Sequence, residues 1–364
     1  MTSVLISGYY GFKNLGDELI LESLIEQLRQ INPKIDITVL SADPKYTSSV
    51  FNVDSINRYD IPRIWIALLK AKLLISGGGG LFQDKTSIKS PIYYGLIILL
   101  AKLVKVKTLI YAQGLGPLNS WWAKFITKSS LSMADIITLR DFESVAMANS
   151  FDLKTLLTAD PVWGLSKLQT YPDNLSNIQA IKENYPNSKL IGVSLRTDTH
   201  LDQKGLLNLA ESLNEILSDN FVIVLLPLQK DQDYDILLEF SALLNKNIAC
   251  EVLTVYPKDI TPSYYLDIFK EFHLVIAMRL HALILSLKCG INVFGLSYDP
   301  KVTALLKQLN LPFILIPDLS RVNMKDTLKS AIDKPQLDLY KSYLVKFKEN
   351  CNLNKNQLER LIDA

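Results

Sequence analysis

Arg279, His281 and Lys301 stand in one stretch, HLVIAMRLHALILSLKCGINVFGLSYDPK, running from His273 to Lys301. Two cations and an imidazole held together can bind a phosphate or carboxylate and move a proton near neutral pH. The stretch reads as two consecutive strand-to-helix units. His273 to Ala277 is an apolar run of strand length, and Arg279 to Cys289 is a helix stopped by Gly290. Ile291 to Ser297 is the next strand. Asp299 then offers an N-cap, with Pro300 in the first helical position. Arg279 and His281 thus follow one strand end, and Lys301 follows the next. In a parallel sheet these points lie side by side, on the edge where open α/β sheets bind ligands, and each is a helix N-terminus suited to anions. Arg196 takes an equivalent place after the apolar run Leu190 to Leu195. Of the other two histidines, His273 begins a buried strand and reads as structural. His200, in RTDTHLDQKG, reads as a loop or cleft residue.

The elements that must position these residues form an α/β series. Ser3 to Ser7 is a strand, GYYGFKNLGDE a glycine-bearing loop, Glu18 to Ile31 an amphipathic helix and Ile35 to Leu40 a second strand. The rhythm is Rossmann-like, although the loop lacks a strict GxGxxG. Leu73 to Ser76 runs into Gly77-Gly78-Gly79-Gly80, which lacks the Lys-Ser/Thr of a P-loop and suggests close backbone approach to a ligand or a neighbouring domain. Thr108 to Ala112 ends in Gln113-Gly114-Leu115-Gly116-Pro117, Ile136 to Leu139 in Arg140-Asp141, and Thr155 to Thr158 in Asp160-Pro161. Asp17, Gln83, Gln113, Arg140 and Asp160 therefore fall at strand-end turns, where each could bind a polyhydroxylated ligand or serve as an ordinary cap. The pattern loosens between Trp163 and Asn187, around Pro172, Asp173 and Asn174. We place a first Rossmann-like domain at residues 1–165, a second at 166–334, and surface helices at 335–364. The expected fold class is α/β, two Rossmann-like domains facing across a cleft in the GT-B manner.

Composition bounds the rest. With 364 residues, 48% hydrophobic and 21% charged, the chain can bury two sizeable cores, and a net charge of +2 argues against nucleic acid as a partner. Cys250, Cys289 and Cys351 are odd in number and without metal-ligand spacing, which points to a reducing compartment and to no metal. No basic leader precedes the first strand, and the longest apolar run, Ile92 to Ala101, is too short to span a bilayer. Trp121, Trp122, Lys124, Phe125 and Lys128 make an aromatic and basic patch that could lie against a membrane.

MRLHALILSLKCG followed by SYDPKV, together with NLGDELIL, SGGGGLFQD and AQGLGPL, resembles the CsaB-type polysaccharide pyruvyl transferases. The matching segments run from near residue 8 to near residue 302. The resemblance implies that phosphoenolpyruvate is the donor, that the product is a cyclic pyruvate ketal on a sugar, and that no cofactor is needed. For this type it implies a ManNAc-containing, lipid-linked cell-wall glycan precursor as acceptor. A cytoplasmic protein at the inner face of the membrane, with at most peripheral membrane contact, would follow. It further implies donor binding by Arg196, Arg279, Leu280, His281 and Lys301, with His281 and Lys301 catalytic. The chemistry suits them, since phosphoenolpyruvate carries two anionic groups and its methylene carbon must be protonated by a general acid, for which His281 is placed. On the first domain, sugars suit aromatic and uncharged polar groups, so the acceptor contacts expected there are Tyr9, Tyr10, Asp17, Gly78, Gly79 and Gln113. Two alternatives stand beside this reading: a glycosyltransferase using a nucleotide sugar on the same fold, and a non-catalytic glycan-binding protein. A nucleotide-base site is not evident for the first, and the second would be expected to lose the His or Lys of the anion site.

Overall fold

The computed structural model describes residues 2–85, 87–166, 175–255 and 260–363. Pro172, Asp173 and Asn174, where the sequence suggests a loosened linker, lie outside the described residues. The chain divides into two compact units. One comprises Met1–Ser166, Asp259–Pro262 and Val345–Ala364, and the other Lys167–Lys258 and Ser263–Leu344.

In the first unit the order is β1 (Ser3–Ser7), α1 (Leu15–Ile31), β2 (Asp36–Ser41), α2 (Pro44–Phe51), β3 (Asp54–Asn57), α3 (Ile61–Lys70) and β4 (Leu73–Ser76). It continues with β5 (Gly79–Phe82), α4 (Lys89–Leu103), β6 (Lys107–Leu115), α5 (Trp121–Ser132), β7 (Ile136–Leu139), α6 (Phe142–Asn149) and β8 (Leu156–Leu157). The strands pair in parallel as β3-β2-β1-β4-β6-β7-β8, with β5 on β6. Both faces are covered. Val4, Ile6, Val39 and Ile75 pack with Leu21 and Leu24 of α1. On the opposite face Leu5, Leu40 and Leu74 pack with Leu68 of α3, Ile97 and Ile98 of α4, and Leu131 of α5. Burial on two sides explains why these strands read as unbroken apolar runs.

The second unit holds α7 (Ile178–Asn184), β9 (Lys189–Ser194), α8 (Gln203–Ile216), β10 (Phe221–Leu225), α9 (Lys230–Ala242), β11 (Ala249–Val252) and α10 (Tyr265–Phe269). Then follow β12 (Phe272–Ala277), α11 (Leu280–Lys288), β13 (Asn292–Ser297), α12 (Pro300–Gln308), β14 (Phe313–Leu315), α13 (Lys325–Asp333) and the start of α14 (Leu337–Asp363), whose residues from Val345 on belong to the first unit. Its strands pair in parallel as β11-β10-β9-β12-β13-β14. Ala277 at the end of β12 is in register with Ser194 of β9 and Gly295 of β13.

Several boundaries differ from the sequence reading. α1 begins at Leu15, because Asn14 caps it by accepting a hydrogen bond from the Gly16 amide, so Asp17 and Glu18 lie in the first helical turn. β6 runs on through Gln113 to Leu115, and the glycine run opens into β5, where a turn was expected. The last helix, expected on the surface, is partly core: Tyr340, Cys351, Leu358, Leu361 and Ile362 are buried, and the last three pack with Leu21 and Leu24.

Candidate active site

The carboxyl ends of β9, β12 and β13 are adjacent, and they carry Arg196, Arg279 with His281, and Lys301. The sequence dictates this locally. β12 ends against Met278, Arg279 is the N-cap residue of α11, and Gly290, at φ +76°, releases the chain after that helix. Asp299 caps α12 by accepting from the Lys301 amide, so the Lys301 backbone is fixed in the first turn. Leu280, His281 and Lys301 are half-buried, and Arg279 is buried.

Arg279 is held by a residue that no motif indicated. Its Nε donates to Asp233 Oδ1 at 3.1 Å and Oδ2 at 2.9 Å, and its Nη2 donates to Oδ1. Asp233, fully buried at the start of α9, also accepts from the Gln229 amide at 2.9 Å. Burial pushes the Asp233 carboxyl up from its ordinary pKa, while the hydrogen bonds and charge of Arg279, with that of Arg196, pull it down. The fork-to-fork geometry fixes the guanidinium plane and leaves Nη1 outside the pairing. Arg196 stacks over Tyr298, its Cζ 5.0 Å from the ring centroid, and its Nη1 donates to Tyr298 Oη at 3.1 Å. Its Nε is buried and makes no hydrogen bond. His273 donates from Nε2 to the Ile332 carbonyl at 2.7 Å, the structural role expected of it. His200 is exposed beside Asp198, Nδ1 to Oδ1 3.1 Å.

The residues expected on the acceptor side all belong to the first unit, but four of them are interior. Tyr10 is fully buried: its ring occupies the space left by Gly8 and Gly77, where a Cβ would stand 2.3 Å and 2.0 Å from tyrosine atoms. Gln113 is fully buried, with Nε2 donating to the Gly77 carbonyl at 3.0 Å. A Cβ on buried Gly78 would stand 2.9 Å from Ile20. Much of the glycine run is therefore explained by close packing inside the unit. Gly79, also buried, has φ +96°, and its Cβ would stand 2.7 Å from Asp17 Oδ1. Tyr9 and Asp17 are half-buried, and Tyr9 stacks on Phe12 with centroids 4.0 Å apart. Arg140 and Asp160 are spoken for by each other in a buried ion pair.

Sequence reasoning missed Arg58, which follows β3. Its guanidinium lies over Tyr93 at 4.3 Å, Phe12 at 5.2 Å and Tyr59 and Tyr94 at 5.5 Å. Arg58 is 5% exposed, its Nε makes no hydrogen bond, and no carboxylate pairs with it among the described residues. Its Nη2 donates to Tyr94 Oη at 3.3 Å, and the aromatic faces stabilise the cation there.

Glu18 closes the loop after β1. Its Oε1 accepts from the Gly11 amide at 2.9 Å, and burial pushes the carboxyl up to about 8. Between its ordinary value of 4.5 and about 8 the native state holds a proton that the unfolded chain has released. Stability from this group is therefore full at low pH and lost as pH rises through the window. Glu18→Gln should match the wild-type Tm at about pH 5 and exceed it at about pH 9. Parallel Tm curves across that range would contradict the buried, protonated carboxyl.

Comparison with known proteins decides the family. The family model described as polysaccharide pyruvyl transferase matches residues 14–300. The chain belongs to the polysaccharide pyruvyl transferase family, a family of enzymes. The matched span runs from Asn14 at the cap of α1 to Pro300 and includes Arg196, Arg279 and His281, with Lys301 the next residue after it. Among curated proteins none matches the sequence. Among solved structures, UDP-GlcNAc 2-epimerase from Neisseria meningitidis bound to UDP-GlcNAc matches with TM-score 0.61, 14% identity and all of both chains covered. HepE of Anabaena in complex with UDP and glucose matches with TM-score 0.61, 11% identity and the same coverage. UDP-GlcNAc 2-epimerase from Methanocaldococcus jannaschii matches with TM-score 0.60 and 12% identity, over 95% of this chain and 100% of that one. The likeness concerns the fold: an α/β, GT-B-like chain with two parallel sheets, as the sequence indicated.

Proposed function

We propose that this pyruvyl transferase takes phosphoenolpyruvate as donor and forms a cyclic pyruvate ketal on a sugar, releasing phosphate. The observation that carries the reading is the row of Arg196, Arg279, His281 and Lys301 on three adjacent strand ends, at two helix N-termini. Arg279, oriented by Asp233, and Arg196 and Lys301 hold the phosphate and carboxylate. His281 donates a proton to the methylene carbon, and C2 becomes oxocarbenium-like. A sugar hydroxyl adds to C2 and gives its proton to the now neutral His281. The C2–O bond to phosphate then breaks with its electron pair leaving on phosphate, and a second hydroxyl adds to C2 to close the ketal, its proton passing to the released phosphate. The residues present need neither a metal nor a cofactor for these steps.

Acceptor contacts are assigned to the first unit: Tyr9, Asp17 and the Gly79 backbone, now joined by Phe12, Arg58 and Tyr93. Stacked rings with a buried guanidinium suit a sugar bearing or adjoining an anionic group. This fits the CsaB-type expectation of a ManNAc-containing, lipid-linked cell-wall glycan precursor handled at the inner face of the membrane. The deciding measurement is phosphate release from phosphoenolpyruvate across a panel of lipid-linked and synthetic disaccharides, with nucleotide sugars as competing donors. Turnover of a nucleotide sugar alone would replace this reading with glycosyl transfer.

Gly79→Ala separates the two halves of the assignment. Strain at φ +96° and the clash with Asp17 should raise the acceptor KM by about tenfold, the scale of one hydrogen bond to a charged group. Calorimetry should find phosphoenolpyruvate binding unchanged. Loss of donor binding in the folded variant would move the glycine run to the phosphate site.

A further inference from the structure

The outer face of the α3, α4 and α5 layer is apolar where a soluble surface is polar. α4 carries two apolar stripes: Tyr94, Ile97, Ile98 and Ala101 face the core, while Ile92, Leu96, Leu99 and Leu103 keep helical spacing and face outward. α3 repeats the arrangement, with Ile64 and Leu68 inward and Trp65, Ile66 and Leu69 outward. On α5, Trp121 and Trp122 are 65% and 60% exposed, and Phe125 stacks on Trp121 at 5.5 Å. α4 packs against both neighbours, so the three outward stripes adjoin. Exposed apolar area on this scale marks a binding surface.

Charge selects the occupant. The three helices carry Arg63, Lys70, Lys89, Lys102, Lys124 and Lys128, all exposed, and no Asp or Glu, in a chain with 37 acidic residues. A second copy docked on this face would set cations against cations. An anionic bilayer supplies the opposite charge, and indole rings settle at the headgroup level with lysines snorkelling outward. No described helix is long and apolar enough to cross a membrane. We infer that the face formed by α3, α4 and α5 is a docking surface for an anionic phospholipid bilayer, on which the helices lie without crossing.

The inference is independent of the donor and acceptor assignments. Its test is flotation of the full chain with vesicles of phosphatidylcholine alone or of phosphatidylcholine with phosphatidylglycerol. The wild type should float with the anionic vesicles and lose that association as salt is raised. Trp121→Ser and Leu103→Ser should each weaken it about tenfold or more, and Lys102→Gln and Lys124→Gln about fivefold each. All four side chains are exposed, so the fold and phosphate release with a soluble synthetic acceptor should be unchanged. A wild type that stays unbound to anionic vesicles, or variants that float as it does, would overturn the inference. So would a wild-type dimer that Trp121→Ser dissociates without any flotation, which would assign the face to a second copy.

Discussion

His281→Ala should lower pyruvyl transfer by about a hundredfold to ten-thousandfold in a protein that folds normally, the range for loss of a general acid. The expectation rests on elimination as well as position. Of the three histidines, His273 is engaged with the Ile332 carbonyl and His200 is exposed beside Asp198, whereas His281 alone sits in the first turn of α11 next to Arg279. The residue is half-buried and the helix propensity of alanine is high, so stability should change little. On the proposed assignment, in which Arg196, Arg279 and Lys301 bind the donor's anionic groups, the loss should fall on kcat with phosphoenolpyruvate affinity nearly retained. His281→Gln, similar in size but without an acid–base group near neutral pH, should be as slow as the alanine variant. Near wild-type kcat in His281→Ala would remove the proton-donor role and leave the arginines and lysine as a binding site only.

Asp233→Ala should be the most destabilising single change at the site, by about 3–5 kcal/mol, because it strands the Arg279 guanidinium in the interior without its counter-charge. In a unit of this size that corresponds to a Tm fall of roughly 6–20 °C. Donor KM should rise as well, since Arg279 would no longer be held in one plane. The double variant Asp233→Ala with Arg279→Met separates the two consequences. Removing both partners of a buried pair is often near neutral for stability, so most of the lost Tm should return while donor binding stays weak. A double variant that recovered both would show Arg279 to be purely structural. A Tm within a degree or two of wild type in the single variant would mean that the pair contributes little.

The local sequence was enough to place the cationic strand ends of the second unit. Unbroken apolar runs announced β12 and β13 because a strand buried on both faces has no polar alternation to obscure it. Gly290 and the Asp299-Pro300 pair marked the ends of the intervening helices through their own backbone preferences. The row of cations followed from these local facts plus the habit of parallel sheets to bind ligands at one edge. Short elements such as β3 and β14 escaped, being too brief for any period to show.

Which of several like side chains is buried was decided only by the fold. Asp231, Asp233 and Asp235 are equivalent in the sequence, yet only Asp233 is interior and meets Arg279. Tyr9 and Tyr10 are neighbours, yet one is half-buried and the other fills the space beside two glycines. Arg58 acquires its aromatic surround from rings at positions 12, 59, 93 and 94. In each case the sequence carries the chemistry of the group, while at least one decisive partner, Arg279 for Asp233, Gly77 for Tyr10 or Tyr93 for Arg58, comes from a distant segment. Secondary structure is coded by neighbours along the chain, but desolvation and pairing are set by neighbours in space, and those exist only once the sheets have formed.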